Sequence, residues 1–218
     1  MQRVTVVDHP AVADRLARIR DVSTTSAVFR TLLGEIGAFL AYEATRLLPV
    51  HAMPVRTPLA STMGSRIVAP PVVAPILRAG LGLLSGFLSV IDDAVVAHLG
   101  FFRDPTSLAA VPYYANLPDD LRGARVFVLD PMLATGNSAA AALALLEERG
   151  ARDVSVLCAI AAREGVARLS RAHPGVRVYA CAIDETLDAH GYIVPGLGDA
   201  GDRMFGSATS VPSGYRPR

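Results

Sequence analysis

The sequence predicts an α/β protein built on a parallel β-sheet, and two observations carry this prediction. From residue 68 onward, short apolar runs typical of buried strands alternate with stretches long enough to form helices. Strands separated by helices in this way pair in parallel, and the helices cover both faces of the sheet. The 218 residues contain no repeat and no low-complexity linker, so we expect a single domain over residues 1–206 and a mobile tail over 207–218.

The first third of the chain, about residues 10–49, is predicted to be helical. Ser23 and Thr24 are residue types that cap helices. Apolar side chains then recur at every fourth position and predict one buried helix face: Val28, Leu32, Ile36, Leu40 and Ala44. Residues 50–65 are rich in Pro and turn-forming residues, which predicts an irregular arm or a hairpin.

The remaining elements follow from the apolar runs and the residues that interrupt them. Strands are predicted over residues 68–77, 94–101, 125–129, 154–160 and 176–183, and helices over 81–90, 137–149 and 165–172. Residues 104–120 contain three Pro, two Tyr and several acidic residues, which predicts a long excursion that could act as a lid. In sheets of this class, ligands bind beyond the carboxyl ends of the strands, where the strand order reverses.

The composition excludes several chemistries. All 21 basic residues are Arg and none is Lys, so Schiff-base, pyridoxal-phosphate and phosphate-loop lysines are excluded. With 20 acidic residues the net charge is +1, which favours neither nucleic acid nor an anionic membrane. Two Cys, at 158 and 181, exclude a disulfide framework and predict reduced core thiols in a cytoplasmic protein. The longest uncharged stretch, residues 131–146, is too short to span a bilayer.

The first candidate site is the strand-end loop (residues 130–138), which directly follows a predicted strand. The strand delivers the Asp130 carboxylate, and small and hydroxyl residues then open a helix. Backbone N–H groups and the hydroxyls of Thr135 and Ser138 can surround a phosphate, and Gly136 allows its close approach. Asp130 would repel that phosphate, so a ribose diol is its better partner.

The second candidate is the arginine turn (residues 78–82), a glycine-rich turn that Arg78 opens after the strand predicted over 68–77. Arg103 follows the next predicted strand in the same way. An arginine at the carboxyl end of a strand is well placed to bind an anionic ligand. Two such arginines beside a phosphate-binding loop favour a polyphosphate site.

The third candidate is the glycine-rich segment (residues 190–203). Four Gly and one Pro force an irregular backbone whose N–H and C=O groups can bind a ligand. The two acidic residues, Asp199 and Asp202, suggest a binding loop rather than a simple connector.

Each motif also has a structural alternative. Asn137 or Ser138 could simply cap the helix, with Asp130 ending the strand. Arg78 and Arg103 could each pair with a nearby carboxylate, and the glycine-rich segment could only connect two elements.

The remaining polar residues are predicted to be structural. We expect His98 in or near the core and His51 and His173 at the surface. One acidic group has a spacing that fits no metal geometry, so we predict a solvated strand-end loop for Asp184, Glu185 and Asp188.

Taken together, the three motifs resemble the uracil phosphoribosyltransferase family of the type I phosphoribosyltransferases. The likeness runs from about His9 to Gly206, nearly the whole chain. The glycine-rich segment, extended to Gly206, resembles the uracil-binding segment specific to this branch, and Pro131 is also typical of it. The family makes uridine monophosphate (UMP) from uracil and 5-phosphoribosyl diphosphate, in pyrimidine salvage.

The resemblance implies a role for each motif. The strand-end loop would hold the ribose and 5′-phosphate of the donor, through Asp130, Pro131, Met132, Leu133, Ala134, Thr135, Gly136, Asn137 and Ser138. Arg78 and Arg103 would bind its diphosphate. Uracil would be bound largely by backbone groups of Ile193, Gly198, Asp199 and Ala200. Asp199 would also face the donor or waters on Mg²⁺, the implied cofactor, which would have no direct protein ligand. The implied catalytic residues are Arg78, Arg103, Asp130 and Asp199.

The resemblance further implies a homodimer or higher assembly and, as in some members, GTP as an allosteric activator. Two departures from the family are Phe102, where Tyr is usual, and residues 104–108, which replace a more acidic stretch. The alternative function is a nucleotide-sensing, RNA-binding regulator with the same fold. The near-zero net charge and the absence of an Arg-dense stripe with interleaved aromatics argue against it.

Overall fold

A computed structural model describes residues 3–103 and 110–206, apart from the side chains of Arg3 and Arg103. The elements in chain order are β1 (Arg3–Val6), α1 (Pro10–Arg20), α2 (Ser26–Ala44), β2 (Val50–Arg56), β3 (Ser61–Ile67), β4 (Val72–Leu77), α3 (Leu81–Val90), β5 (Val95–Val96), β6 (His98–Arg103), β7 (Ala110–Asn116), β8 (Arg125–Leu129), β9 (Met132–Leu133), α4 (Asn137–Glu148), β10 (Asp153–Ala162), α5 (Arg163–Ala172), β11 (Arg177–Asp184), β12 (Thr186–Leu187), β13 (Ile193–Val194) and α6 (Ala200–Phe205).

The central sheet confirms the predicted class. Its strand order is β1-β11-β10-β8-β4-β6-β7, with β5 beside β4 and β9 beside β10. Every neighbouring pair is parallel except β6 and β7, which are antiparallel. From β4 the chain builds toward β6, whereas from β8 it builds toward β10 and β11. The strand order therefore reverses between β4 and β8.

Helices cover both faces of this sheet. On one face α1, α2 and α3 pack on side chains such as Phe127 and Leu129. On the other face α4 and α5 pack on Val126 and Val128, which alternate with them along β8. The buried positions of β4, β8 and β10 explain why these strands appear in the sequence as continuous apolar runs.

The N-terminal helices differ from the prediction in detail. The Thr25 side chain caps α2, accepting from the N–H of Val28, so Ser23 and Thr24 are not its cap. Val28 is 41% exposed, whereas Phe29 beside it is fully buried. A strict four-residue spacing drifts around a helix of 3.6 residues per turn, so the predicted stripe begins one residue too early.

Of the two alternatives predicted for residues 50–65, the hairpin is confirmed: β2 and β3 pair antiparallel, and most of their residues are exposed.

The excursion over 104–120 contains a strand that was not predicted, since residues 110–116 form β7 against β6. Residues 104–109, the first part of the predicted lid, lie outside the described part, as does the 207–218 tail.

Both cysteines, Cys158 and Cys181, are free and buried in the core, as predicted. His98 is half-buried and His51 is exposed, also as predicted. His173 is not a surface residue, because its side chain is 10% exposed and its Nδ1 lies 2.8 Å from Oε1 of Glu147. Within the described residues, no helix is both long enough and apolar enough to cross a bilayer.

Candidate active site

The arginine turn and the strand-end loop leave the sheet side by side. Pro75 of β4 is in register with Leu129 of β8, so Arg78 and Asp130 follow neighbouring strand ends. After these two strands the chain turns to opposite faces, into α3 and α4. A crevice opens at such a reversal point, and ligands of α/β sheets bind there.

The strand-end loop is shaped by its contacts with β10 and by one glycine. The carbonyl of Pro131 accepts from the N–H groups of Ala159 and Ile160, at 3.0 and 3.1 Å. Gly136, with φ of +78°, is the N-cap of α4 and has no side chain to cap the helix. Neither Asn137 nor Ser138 occupies the cap, so the simple capping alternative is wrong. The N-terminus of α4, with its positive dipole end, faces the loop and suits an anion.

The strand-end loop can offer a ligand mainly its backbone groups. Leu133 is fully buried and Pro131 is also buried, so their side chains face the core. The side chains of Thr135, Asn137 and Ser138 are half-buried. The Thr135 hydroxyl accepts from the N–H of Asn137 at 3.4 Å.

Gly165, in the first turn of α5, packs directly against the strand-end loop. The sequence did not identify it as a residue of the site. A Cβ on Gly165 would overlap the carbonyl oxygen of Ala134 and lie 2.8 Å from that of Leu133. Only glycine therefore lets α5 approach the loop so closely. No local motif marks Gly165, because the contact joins residues far apart in the chain.

Asp130 has an unusual environment for a carboxylate. Burial raises its pKa from 3.8 to about 7, and the N–H of Met132, which donates to the carboxylate, opposes this shift only in part. Near neutral pH the side chain is therefore divided between its neutral and ionised forms. Carboxyl groups with such raised pKa values cluster at functional sites in proteins.

Arg78 is 60% exposed and points toward α6. Its Nη2 lies 3.4 Å from Oδ1 of Asp202, and its guanidinium lies 6.0 Å from the Phe205 ring centroid. An exposed pair of this length is weak, so Arg78 can exchange Asp202 for an anionic ligand. The Arg103 backbone ends β6, while its side chain lies outside the described part of the chain.

The glycine-rich segment completes the site. A cavity of about 350 Å³ is lined by Ala79 of the arginine turn, by Met132 and Ala134 of the strand-end loop, and by residues 190–193 and 198–201. All four predicted uracil-binding residues line it: Ile193, Gly198, Asp199 and Ala200. The side chain of Ile193 is buried in the core, so only its backbone can face a ligand.

The Asp199 side chain is both a helix cap and part of the cavity wall. Its Oδ1 accepts from the N–H of Asp202 at 2.9 Å and caps α6. The Tyr192 hydroxyl lies 3.5 Å from the other oxygen, Oδ2. Tyr192 and Ala79 also line the cavity, although the sequence analysis gave them no binding role.

The acidic group at the end of β11 is solvated only in part: Glu185 and Asp188 are exposed, as predicted, but Asp184 is buried. Asp184 is 8% exposed and pairs with Arg20, while Glu185 is exposed and pairs with Arg163. Asp188 accepts from the N–H groups of His190 and Tyr192. Within the described residues, no group of three or more His, Cys, Asp or Glu side chains could hold a metal.

Comparisons with known proteins point to one family. The sequence model of the family described as "Uracil phosphoribosyltransferase" matches residues 6–207. A protein of that name from Caulobacter sp. is 50% identical over 208 residues, covering 95% of this chain and 100% of its own. Another, from Kineococcus radiotolerans, is 53% identical, covering 94% of this chain and 99% of its own.

A solved structure is also similar. A protein from Aquifex aeolicus superimposes with a TM-score of 0.89 at 36% identity, covering 93% of this chain and 98% of that one. None of these relatives supports the alternative of an RNA-binding regulator. The chain belongs to the uracil phosphoribosyltransferase family, as its three motifs predicted.

Proposed function

We propose that this chain, as an enzyme of its family, converts uracil and 5-phosphoribosyl diphosphate to UMP and diphosphate, a step of pyrimidine salvage. One observation carries the assignment of its site: the arginine turn, the strand-end loop and the glycine-rich segment line one cavity of about 350 Å³. The reaction needs a phosphorylated sugar and a small base held in contact with each other. We assign the sugar to the arginine turn and the strand-end loop, and the base to the glycine-rich segment.

The strand-end loop is the proposed site of the ribose 5-phosphate group. The backbone N–H groups at the N-terminus of α4, with the hydroxyls of Thr135 and Ser138, bind the 5′-phosphate. Asp130 accepts hydrogen bonds from the ribose hydroxyls. Because those hydroxyls donate to the ionised carboxylate, donor binding should weaken as the pH falls below the raised pKa of Asp130, about 7.

The diphosphate is the proposed ligand of Arg78 and Arg103. Breaking the bond between C1′ and the diphosphate oxygen leaves positive charge on the ribose and negative charge on the leaving group. A guanidinium fixed beside that oxygen stabilises the transition state, and no covalent nucleophile is needed. Uracil N1 then forms the new bond to C1′ and loses its proton, which the departing diphosphate can accept. The closed site excludes water that would attack the same cation.

Uracil is bound by backbone groups of Ile193, Gly198, Asp199 and Ala200. An N–H group facing O4 and a carbonyl facing N3–H would suit uracil and oppose cytosine, in which both polarities are reversed. A site of buried polar groups left unpaired by the wrong base discriminates by about 10⁴ or more.

The residues fit a Mg²⁺ ion bound through the donor. Mg²⁺ keeps several waters and is usually held by substrate phosphates with one or two carboxylates. Asp199 is exposed and lines the cavity, and Asp202 contacts Arg78, so both can bind waters of such an ion. When bound, Mg²⁺ neutralises charge on the departing diphosphate.

The deciding experiment measures diphosphate release from 5-phosphoribosyl diphosphate and Mg²⁺ with uracil, cytosine, hypoxanthine or no base. We expect release only with uracil, together with UMP formation. Release with another base would overturn the uracil assignment of the glycine-rich segment but keep the donor site. No release with any base, with and without GTP, would overturn the proposed activity.

The resemblance supports two further proposals: the chain forms a homodimer or higher homo-oligomer, and GTP activates it. The excursion over 104–120 is our candidate lid on the ground of its sequence alone. Analytical ultracentrifugation with and without GTP tests the assembly, and a monomer in both conditions would exclude it; diphosphate release with and without GTP tests the activation. The free, buried thiols of Cys158 and Cys181 support a cytoplasmic location.

A further inference from the structure

The glycine-rich segment is attached to the N-terminal helices by arginine side chains. Arg20, the last residue of α1, donates through Nη1 and Nη2 to the two oxygens of Asp184, at 2.7 and 2.8 Å. The same Nη1 donates to the carbonyl of Gly196 at 2.8 Å. The N–H of Gly196 donates to Oδ2 of Asp184 at 2.9 Å. Both backbone polar groups of Gly196 are thus held by one ion pair.

This ion pair is well shielded from water. Asp184 is 8% exposed and Arg20 is 25% exposed. Burial alone would raise the pKa of Asp184, but the hydrogen bonds from Arg20 and Gly196 and the charge of Arg20 lower it below 3.8. The carboxylate is therefore ionised at neutral pH. Because Arg20 makes two hydrogen bonds to it, the pair fixes the orientation of the two groups as well as their separation.

Gly198 and Asp199 form a wall between two cavities, one of about 350 Å³ and one of about 450 Å³. Ile193, Leu197 and Ala200 on either side of them pack into the core, whereas Gly198 and Asp199 are exposed. Packing therefore anchors the ends of this stretch but does not fix the exposed wall itself. Arg20 lines the second of these cavities and not the first, so it does not touch the proposed uracil site.

Two other arginines strengthen the connection further along the segment. Arg203 donates to the carbonyls of Ile19, Leu197 and Asp21, and its guanidinium lies 4.5 Å from the Phe29 ring centroid. Arg30 of α2 donates to the carbonyl of Met204 at 2.6 Å. These contacts hold the end of the segment, whereas Arg20 and Asp184 hold Gly196, between Ile193 and Gly198.

We propose that Arg20 and Asp184 are positioning residues for uracil recognition, which act through Gly196 to place the backbone groups of Ile193 and Gly198. The inference rests on the proposed function. It separates two roles within one site, because the strand-end loop and the arginine turn follow strand ends of the sheet, whereas this pair holds Gly196.

The test is the Michaelis constant (KM) for uracil and for 5-phosphoribosyl diphosphate in three variants: Arg20→Met, Arg20→Lys and Asp184→Asn. For Arg20→Met we expect the KM for uracil to rise about 10- to 100-fold, since misplacement of about 1 Å costs up to about 100-fold. The KM for the donor should change less than about twofold, and discrimination against cytosine should fall. Arg20→Lys should recover only part of the loss, because an ammonium group cannot make two parallel bonds.

Arg125→Met is the control for loss of a half-buried arginine in an ion pair away from the site. Arg125 is 14% exposed and pairs with Asp153, which is 56% exposed, and the two residues begin the central strands β8 and β10, at the end of the sheet opposite the site. The Arg125→Met variant should have a lower melting temperature but an unchanged ratio of the KM for uracil to the KM for the donor. If Arg20→Met does not fold, the milder Arg20→Lys and Asp184→Asn variants carry the test.

Two outcomes would overturn the inference in different ways. Equal changes of both KM values, or a lower melting temperature with an unchanged KM for uracil, would show that the pair only stabilises the fold. Wild-type protein that makes no UMP from uracil would overturn the proposed function and this inference with it.

Discussion

The strand-end loop and the glycine-rich segment line the same cavity but are held in place by different means. The strand-end loop continues β8, pairs with β10 through β9 and ends in α4, so its neighbours are regular elements. The glycine-rich segment contains only the short β13 and most of α6, and arginine contacts join it to residues 176 to 184 positions away.

This difference shows that one cavity can have one wall fixed by regular secondary structure and another wall held by a few side-chain contacts. The strand-end loop, the proposed donor half, is built on the sheet, where strand geometry fixes it. The glycine-rich segment, the proposed base-selecting half, depends on a few side-chain contacts. Substitutions that break each kind of support should therefore have separable effects, and the predictions below run from the largest expected effect to the smallest.

The largest effect should come from Arg78, the charged contact of the donor half. In Arg78→Met we expect kcat to fall about 10²- to 10³-fold, because a fixed charge is lost where the leaving group gains negative charge. Steady-state diphosphate release measures this. Arg46→Met is the control, since Arg46 is 57% exposed, like Arg78, and pairs with Glu43 at the end of α2, outside the site. A fall in kcat of less than about threefold would remove Arg78 from the proposed transition-state contacts.

Gly165→Ala should disturb the donor half through its support. The new methyl group would overlap the Ala134 carbonyl, so the strand-end loop must shift. We expect the KM for 5-phosphoribosyl diphosphate to rise about tenfold or more, with discrimination between uracil and cytosine unchanged. Gly175→Ala is the control, since no heavy atom lies within 4 Å of a Cβ there. If cytosine discrimination fell as well, the two halves would not be independent.

Asp130→Asn should raise the stability of the ligand-free protein while it weakens binding of the donor. Because burial raises the pKa of Asp130 to about 7, the folded protein holds a proton that the unfolded chain releases near 3.8. The ligand-free wild type therefore loses stability as the pH rises between these values, and the asparagine variant does not.

At about pH 8 the Asp130→Asn variant should be more stable than wild type by on the order of 4 kcal/mol, and the gain should vanish near about pH 4. Its affinity for the donor should fall at the same time. Urea unfolding at both pH values measures the stability, and equal curves at the higher pH would contradict the raised pKa.

The smallest effects concern two neighbouring carboxylates, one supporting the glycine-rich segment and one not. Asp184→Asn should lower the free energy of unfolding by about 2 kcal/mol at neutral pH, because charged hydrogen bonds become neutral ones. Its lowered pKa means that the wild type keeps this stability above 3.8 and loses it as the pH falls through the folded-state pKa. The difference between the two proteins should therefore shrink in acid.

Glu185→Gln is the matched comparison for Asp184→Asn. Glu185 and its partner Arg163 are about two-thirds exposed, so water screens their attraction. We expect no measurable change in the melting temperature or in either KM. An effect as large as that of Asp184→Asn would mean that charge near this strand end, rather than the buried pair, determines stability.

The sequence predicted most of the sheet and the strand-end positions of Arg78 and Asp130. The strand over 125–129 and the helix over 81–90 match β8 and α3 residue for residue. Both follow from local patterns, an apolar run in one and a glycine-rich entry in the other. Arg78 and Asp130 were placed at strand ends for the same reason, and β4 and β8 are neighbours in the sheet.

Features that depend on distant residues were missed. The strand β1 is four residues long and exists because it pairs with β11, nearly the whole chain away. His173 is shielded by its contact with Glu147, and Asp184 by Arg20, although both were predicted to be exposed. Short polar stretches give no signal of such partners, since the same residue types are usual at the surface.

The sequence by itself determined the fold class, the strand-to-helix turns and the family, because hydrophobic periodicity and turn chemistry act over a few residues. Only the tertiary structure decided which strands are neighbours, that the three motifs share one cavity, and that Arg20 and Asp184 hold Gly196. These contacts join residues far apart in the chain. Their geometry is set by packing around the sheet, which no local pattern specifies.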